Sequence, residues 1–132
     1  MSVAGQNTEI ERLKVLEDLK ILNTPCSPAF DAIVEAAAAI FGCPIGLVSL
    51  VYQDHQWFKA KCGIQLEGTE RSVAFCDHTI RSRSELIIPD ARQDSRFSNN
   101  PFVTGEPHVR FYAGIPLSID KTYFIGSLCV IR

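Results

Sequence analysis

The sequence has no excess of basic charge. Its 132 residues carry 13 Lys and Arg against 15 Asp and Glu, a net charge of −2, and the basic residues are scattered. A nucleic-acid binder concentrates positive charge against phosphates, so nucleic acid is excluded as an expected partner. Long apolar runs are missing as well. The most apolar stretch, AIVEAAAAIF, is interrupted by Glu35 and falls short of the ~20 residues of a membrane span, so no membrane insertion is expected. The opening MSVAGQNTEIERLK lacks the basic-then-apolar order of a signal peptide, and the expected location is the cytoplasm. The cysteines (Cys26, Cys43, Cys62, Cys76 and Cys129) number five and form no Cys-x-x-Cys pair, which argues against a disulfide framework and a zinc knuckle. They read as reduced, mostly buried thiols, and neither a metal nor a cofactor is expected. There is no Ser-His-Asp order, no framed pair of carboxylates and no phosphate-cradling glycine loop.

What is present is an ordinary globular composition, 46% hydrophobic and 21% charged, of a length suited to one domain. Thr8 and Glu11 have capping-box spacing and predict the start of a helix that ends before Pro25, with Leu13, Val15, Leu16, Leu19 and Leu22 as its apolar stripe. A second helix is predicted between Ser27 as N-cap, Pro28 at its first position and Gly42 past its end. Its buried side is read from Phe30, Ile33, Val34, Ala37 and Phe41. From residue 45 the period changes to that of strands, with a hairpin broken at residues 53–55. Both alternating sets of its first strand are apolar, so this strand is expected at the centre of a sheet covered on both faces. A short helix over residues 74–83, a brief strand in ELIIPD, an irregular stretch over residues 91–108 and a closing hairpin follow. The expected fold class is α+β.

Four segments in this order, ILNTPCSPAFDAIVEAAAAIFGCPIGLVSLVYQDHQWFKAKCG, FCDHTI, LIIPDARQDSRFSNNPFVTGEPHVRFYAGIPL and IGSLCVI, resemble a GAF domain of the bacterial signalling type over nearly the whole chain. The resemblance implies a GAF/PAS-like central antiparallel sheet. The terminal helices would lie on one face, and a short helix with long loops would enclose a small-molecule pocket on the other. It also implies a single domain over residues 1–132 that forms the N-terminal part of a longer protein. Its effector, of the histidine kinase or diguanylate cyclase/phosphodiesterase type, would lie outside this chain. The domain is then a non-catalytic sensor that dimerises and passes on a signal from a small molecule or a partner. The alternatives are a thiol enzyme reducing free methionine sulfoxide and a ligand-free dimerisation module. The homodimer is expected through the N-terminal helix, residues 13–22, because Ile10 and Ile21 lie off its main stripe.

Candidate site residues come from two motifs. In FCDHTI, Cys76 and Ile80 share a helical face with Thr79 beside it, so Cys76 and Thr79 should line the interior, while His78 points outward. Bilin-binding relatives attach pigment at a cysteine followed directly by histidine, and here Asp77 intervenes. In RFYAGIPL one alternating set, Phe111, Ala113, Ile115 and Leu117, reads as core. The other places Arg110, Tyr112 and Gly114 against a cavity, Gly114 leaving room and the other two supplying donors. Arg110 is expected to pair with Asp90 or Asp94 and so pin the long loop to the sheet, with Arg96 in a similar part. Trp57 and Phe58 should lie on opposite faces of their strand, with Lys59 and Lys61 on the outer one. The thiols are expected to be non-catalytic, since no pair is clustered along the chain and the reductase chemistry needs an activated thiolate with a resolving partner.

Overall fold

Pro28 and Gly42 punctuate a helix as expected. In the computed structural model, which describes residues 3–22, 24 and 27–132, with side chains from Thr8 onward, helix α2 spans Pro28–Phe41. Gly42 follows at φ 62°, where a side chain is strained, and its N–H closes on the carbonyls of Ala38 and Ala39. Helix α1 differs from expectation. It spans Val3–Asp18, so Thr8 lies inside it and opens nothing, and it stops well before Pro25, which with Cys26 falls outside the described residues.

Strand β1, Ile45–Val51, is buried along its whole length and takes the central place. Strands β2 (His55–Cys62), β3 (Gly68–Glu70), β4 (Leu86–Ile88), β5 (Tyr112–Ile119) and β6 (Tyr123–Ile131) complete an antiparallel sheet in the order β3-β2-β1-β6-β5-β4. The register fixes which distant residues meet: Ser49 stands opposite Ser127, and Cys129 lies between Leu47 and Gly114.

Helices α1 and α2 cover one face, over two small clusters, one of Leu16, Leu50 and Ile125 and one of Val34, Val48 and Ala60. Helix α3, Phe75–Ser82, and the segment from residue 91 to 109 cover the other, over one continuous cluster that includes Leu47, Phe58, Phe97 and Tyr112. The stretch read as irregular contains a 3-10 turn, Ala91–Gln93, and one turn of helix, α4 (Pro101–Thr104), capped by Asn100.

The inward side of α2 is also corrected. Val34 and Ala38 are buried against the sheet, whereas Ile33 (48% exposed), Ile40 (76%) and Phe41 (65%) face outward. The cause is close approach: a Cβ on Gly46 of β1 would stand 2.6 Å from the Val34 carbonyl oxygen, so the sheet takes the small side of the helix. In β5 one side chain departs from expectation: Tyr112, in the main cluster, and Gly114 are buried, while Ile115, read as core, is 49% exposed. Lys59 is buried, its Nζ donating to Thr24 Oγ1 at 2.5 Å, rather than turned to solvent.

Candidate functional site

Helix α3 carries one turn of side chains onto the floor made by β1, β5 and β6. Cys76 and Thr79 both point inward and are buried, as helical periodicity requires of residues three apart. Beneath them lie Tyr112 from β5 and Ser127 and Cys129 from β6, all buried. Buried polar groups need partners, and here they find one another. Tyr112 OH and Thr79 Oγ1 are 2.7 Å apart, and Tyr112 OH donates to Cys76 Sγ at 3.5 Å. Ser127 Oγ donates to the same sulfur at 2.8 Å, and Cys129 Sγ lies 3.9 Å from it. Ser49 Oγ donates to Gln56 Oε1 at 2.6 Å and Gln56 Nε2 to Thr69 Oγ1 at 2.8 Å, extending the polar thread toward the sheet edge.

This arrangement separates the two thiols electrostatically. The hydrogen bond from Cys129, helped by those from Ser127 and Tyr112, outweighs burial and brings Cys76 down to about 7. Cys129 is driven well up by the same bond and by burial, and burial with the nearby Cys76 raises Tyr112. The same contact thus pushes the two thiols apart, Cys76 downward and Cys129 upward.

A cavity of about 40 Å³ reaches this cluster, lined mostly by apolar side chains such as Leu47, Phe58, Phe75 and Val109, with Cys76, Tyr112, Gln56 and Thr69 as its polar groups. Ile64, Leu66 and Pro107 line its outer part. It has room for a molecule of water-like size, far below the ~300 Å³ lower bound of ordinary small-molecule pockets.

The structure joins Cys76, Thr79 and Tyr112 as sequence reasoning placed them, and it changes the roles of the rest. Gly114 leaves room, but Tyr112 fills it: a Cβ there would stand 2.4 Å from the phenol oxygen. Arg110 pairs with neither Asp90 nor Asp94. It donates instead to the carbonyls of Val103 and Val109, both at 3.0 Å, while Asp90 is held by Arg92 at 2.9 Å and Asp94 by Arg96 at 2.7 Å. The aspartates shape the loop locally, over two residues, and Arg110 fastens it through its backbone. Asn100 adds a second fastening through Nδ2 to the Val73 carbonyl at 3.0 Å. His78 is half-buried, its ring edge-on to Phe97, and burial lowers its pKa. Cys129 and Ser127 were not among the predicted site residues; their one signal was the position of Cys129 in an apolar strand with inward alternation.

Beside the thiols, an ion network ties α3 to α1. Arg71 donates to Asp77 at 2.8 Å and to Glu9 at 2.7 Å; Glu9 also binds Arg12, and Asp77 binds Arg81. Arg12 is buried and donates further to the Val51 carbonyl at 2.7 Å. Burial would raise Glu9, but the hydrogen bonds from Arg12 and Arg71 overcome it and hold the carboxyl at about 2. Among the described residues no group of three metal-ligating side chains occurs, and no helix is long and apolar enough to cross a membrane.

The sequence profile of the GAF domain matches residues 27–132. A cyclic di-GMP phosphodiesterase of Pseudomonas aeruginosa is 38% identical over 123 residues, which are 93% of this chain and 21% of that protein. The chain thus spans about a fifth of the relative's length. Among solved structures, the GAF domain of an Acinetobacter phosphoenolpyruvate-protein phosphotransferase superposes with a TM-score of 0.65 at 16% identity, covering 100% of this chain and 79% of that one. A type II free methionine-R-sulfoxide reductase of Thermoplasma acidophilum superposes at 0.63 with 8% identity, over 79% and 72% of the two chains. These likenesses show the fold alone. The chain belongs to the GAF domain family.

Proposed function

We propose that this GAF domain is a non-catalytic regulatory module that dimerises through its helical face and relays a change on the α3 face to an effector outside this chain. The observation that carries the reading is the unpartnered apolar surface of α2, with Ile33, Ile40 and Phe41 outward. Such a surface costs free energy in water and is offset when a second copy covers it. The interface we propose adds α2 to the expected residues 13–22, where Leu16 is fully buried and Ile21 and Leu22 pack on its cluster while Leu19 is 40% exposed.

The effector we propose is an enzyme acting on a cyclic dinucleotide, by analogy with the phosphodiesterase relative. We place the domain in the cytoplasm, a reducing compartment that suits the free thiols Cys43, Cys62, Cys76 and Cys129. The thiol-enzyme alternative is disfavoured by size, since methionine sulfoxide needs several times the 40 Å³ beside Cys76. Sedimentation equilibrium tests the dimer. The intact chain should be dimeric at high micromolar concentration, and Ile33→Asp with Ile40→Asp should raise the dissociation constant at least about tenfold, or ~1.4 kcal/mol. A strictly monomeric intact chain overturns the reading.

A further inference from the structure

Cys76 and Cys129 stand 53 positions apart in the chain, yet their sulfurs are 3.9 Å apart in the core. Reaching a disulfide's ~2.05 Å requires each sulfur to move about 1 Å, a displacement on the scale of side-chain rotation. Cys76 receives donors from Ser127 and Tyr112 and lines the cavity, while Cys129 lies behind it and outside the cavity lining. One thiol is therefore presented to whatever enters, and the other is held in reserve against its sulfur.

We propose that Cys76 and Cys129 form a redox-active dithiol, which hydrogen peroxide entering the cavity converts to an intramolecular disulfide. In the first step the Cys76 thiolate attacks one peroxide oxygen and the O–O bond breaks. Cys76 becomes a sulfenic acid, and the departing hydroxide takes up the proton that Cys76 lost on ionising, giving water. In the second step the Cys129 sulfur attacks the sulfenic sulfur. The S–S bond forms, the S–O bond breaks, and the hydroxyl leaves with the Cys129 proton as a second water. The two thiols lose two electrons and the peroxide gains them.

The protein supplies each requirement. The donors around Cys76 favour its thiolate, in keeping with its depressed pKa of about 7, and Cys129 stays protonated until it attacks. The titratable groups facing Cys76 are Tyr112 from β5 and Cys129 from β6, both pushed upward and both neutral near pH 7. The small cavity selects for a hydroperoxide of minimal size over bulkier oxidants. The inference is independent of the proposed dimer, because both cysteines belong to one chain.

Peptide mapping tests it directly. The reduced chain is exposed to hydrogen peroxide, alkylated under denaturing conditions and digested with trypsin without reductant. Cleavage after Arg71, Arg81 and Lys121 leaves Cys76 alone in the 72–81 peptide and Cys129 alone in the 122–132 peptide. The expected product is a linked 72–81/122–132 species, with the count of alkylatable thiols falling from five by two. The link should form faster in the folded chain than in urea, and Cys129→Ser should replace it with a sulfenic acid on Cys76 that dimedone traps. Recovery of Cys76 and Cys129 unmodified after Cys43 or Cys62 has been oxidised overturns the proposal. So does a link from Cys76 to another cysteine, or one that forms no faster folded than unfolded. The wild-type map decides alone if the variant does not fold.

Discussion

Under α3 and the loop of residues 91–109 the sheet buries one continuous apolar cluster with a polar thread through it, whereas under α1 and α2 it buries two small clusters and leaves large apolar side chains outside. The first face is closed within the chain. Its phenol, hydroxyls and thiols satisfy one another, and among the described residues no buried side-chain nitrogen or oxygen lacks a partner. The second face is apolar on both sides of its helix, with Ile33, Ile40 and Phe41 exposed on the outer side. The lesson is that the two faces differ in closure: the loop face buries its hydroxyls and thiols in one continuous core, and the helix face leaves large apolar side chains exposed.

Truncations should break that contrast most sharply. Phe97 is fully buried and stacked on Phe75 with ring centroids 4.2 Å apart, so Phe97→Ala should cost about 3–5 kcal/mol in urea denaturation. Ile40→Ala on the outward side of α2 should change monomer stability by no more than about 0.5 kcal/mol. Equal costs would erase the distinction. Gly114→Ala comes next, at about 1–3 kcal/mol, because the new methyl meets the Tyr112 ring in a filled core.

A smaller effect sharpens the comparison through pH. Glu9 is depressed from 4.5 to about 2 in the folded chain, so its contribution to stability is present above pH 4.5 and is lost as pH falls through 2. Glu9→Gln should flatten the acid limb of a stability-pH curve over that window and leave the shape above pH 5 unchanged. Arg110→Ala removes two hydrogen bonds to loop carbonyls and should cost about 1 kcal/mol. Amide exchange should quicken over residues 101–109 before it does in β5. Unchanged exchange there would mean that Asn100 alone fastens the loop.

Much of this architecture was legible in the sequence, and its limits have physical causes. Pro28 and Gly42 act through their own backbones, so they mark α2 wherever it packs. Thr8 and Glu11 mimic a cap, but capping is a weak local preference and the longer helix through Val3 prevails over it. The inward side of α2 was misread because hydrophobicity nominates the larger residues, whereas the close approach at Gly46 admits only Val34 and Ala38. In β5 both alternating sets include apolar residues, so periodicity reads Ile115 as core although it is 49% exposed. The shared inward side of Cys76 and Thr79 was legible because helical spacing is local. Their pairing with Cys129 and Ser127 depends on the register of a strand some fifty residues away, which no local pattern encodes.

The network of Glu9, Asp77 and their arginines sets a rule for how this sequence can change. Each carboxylate answers to two guanidiniums, and Arg71 is shared between them. A lone substitution at Glu9 leaves Arg12 buried with only carbonyl partners, so it is costly by itself, but the same change is far milder in a chain that already has an apolar residue at position 12. Tolerance at one position is thus written at another. Viable variants of this domain should reach a neutral α1 seat by paired replacement, in an order that removes the buried cation before its anion.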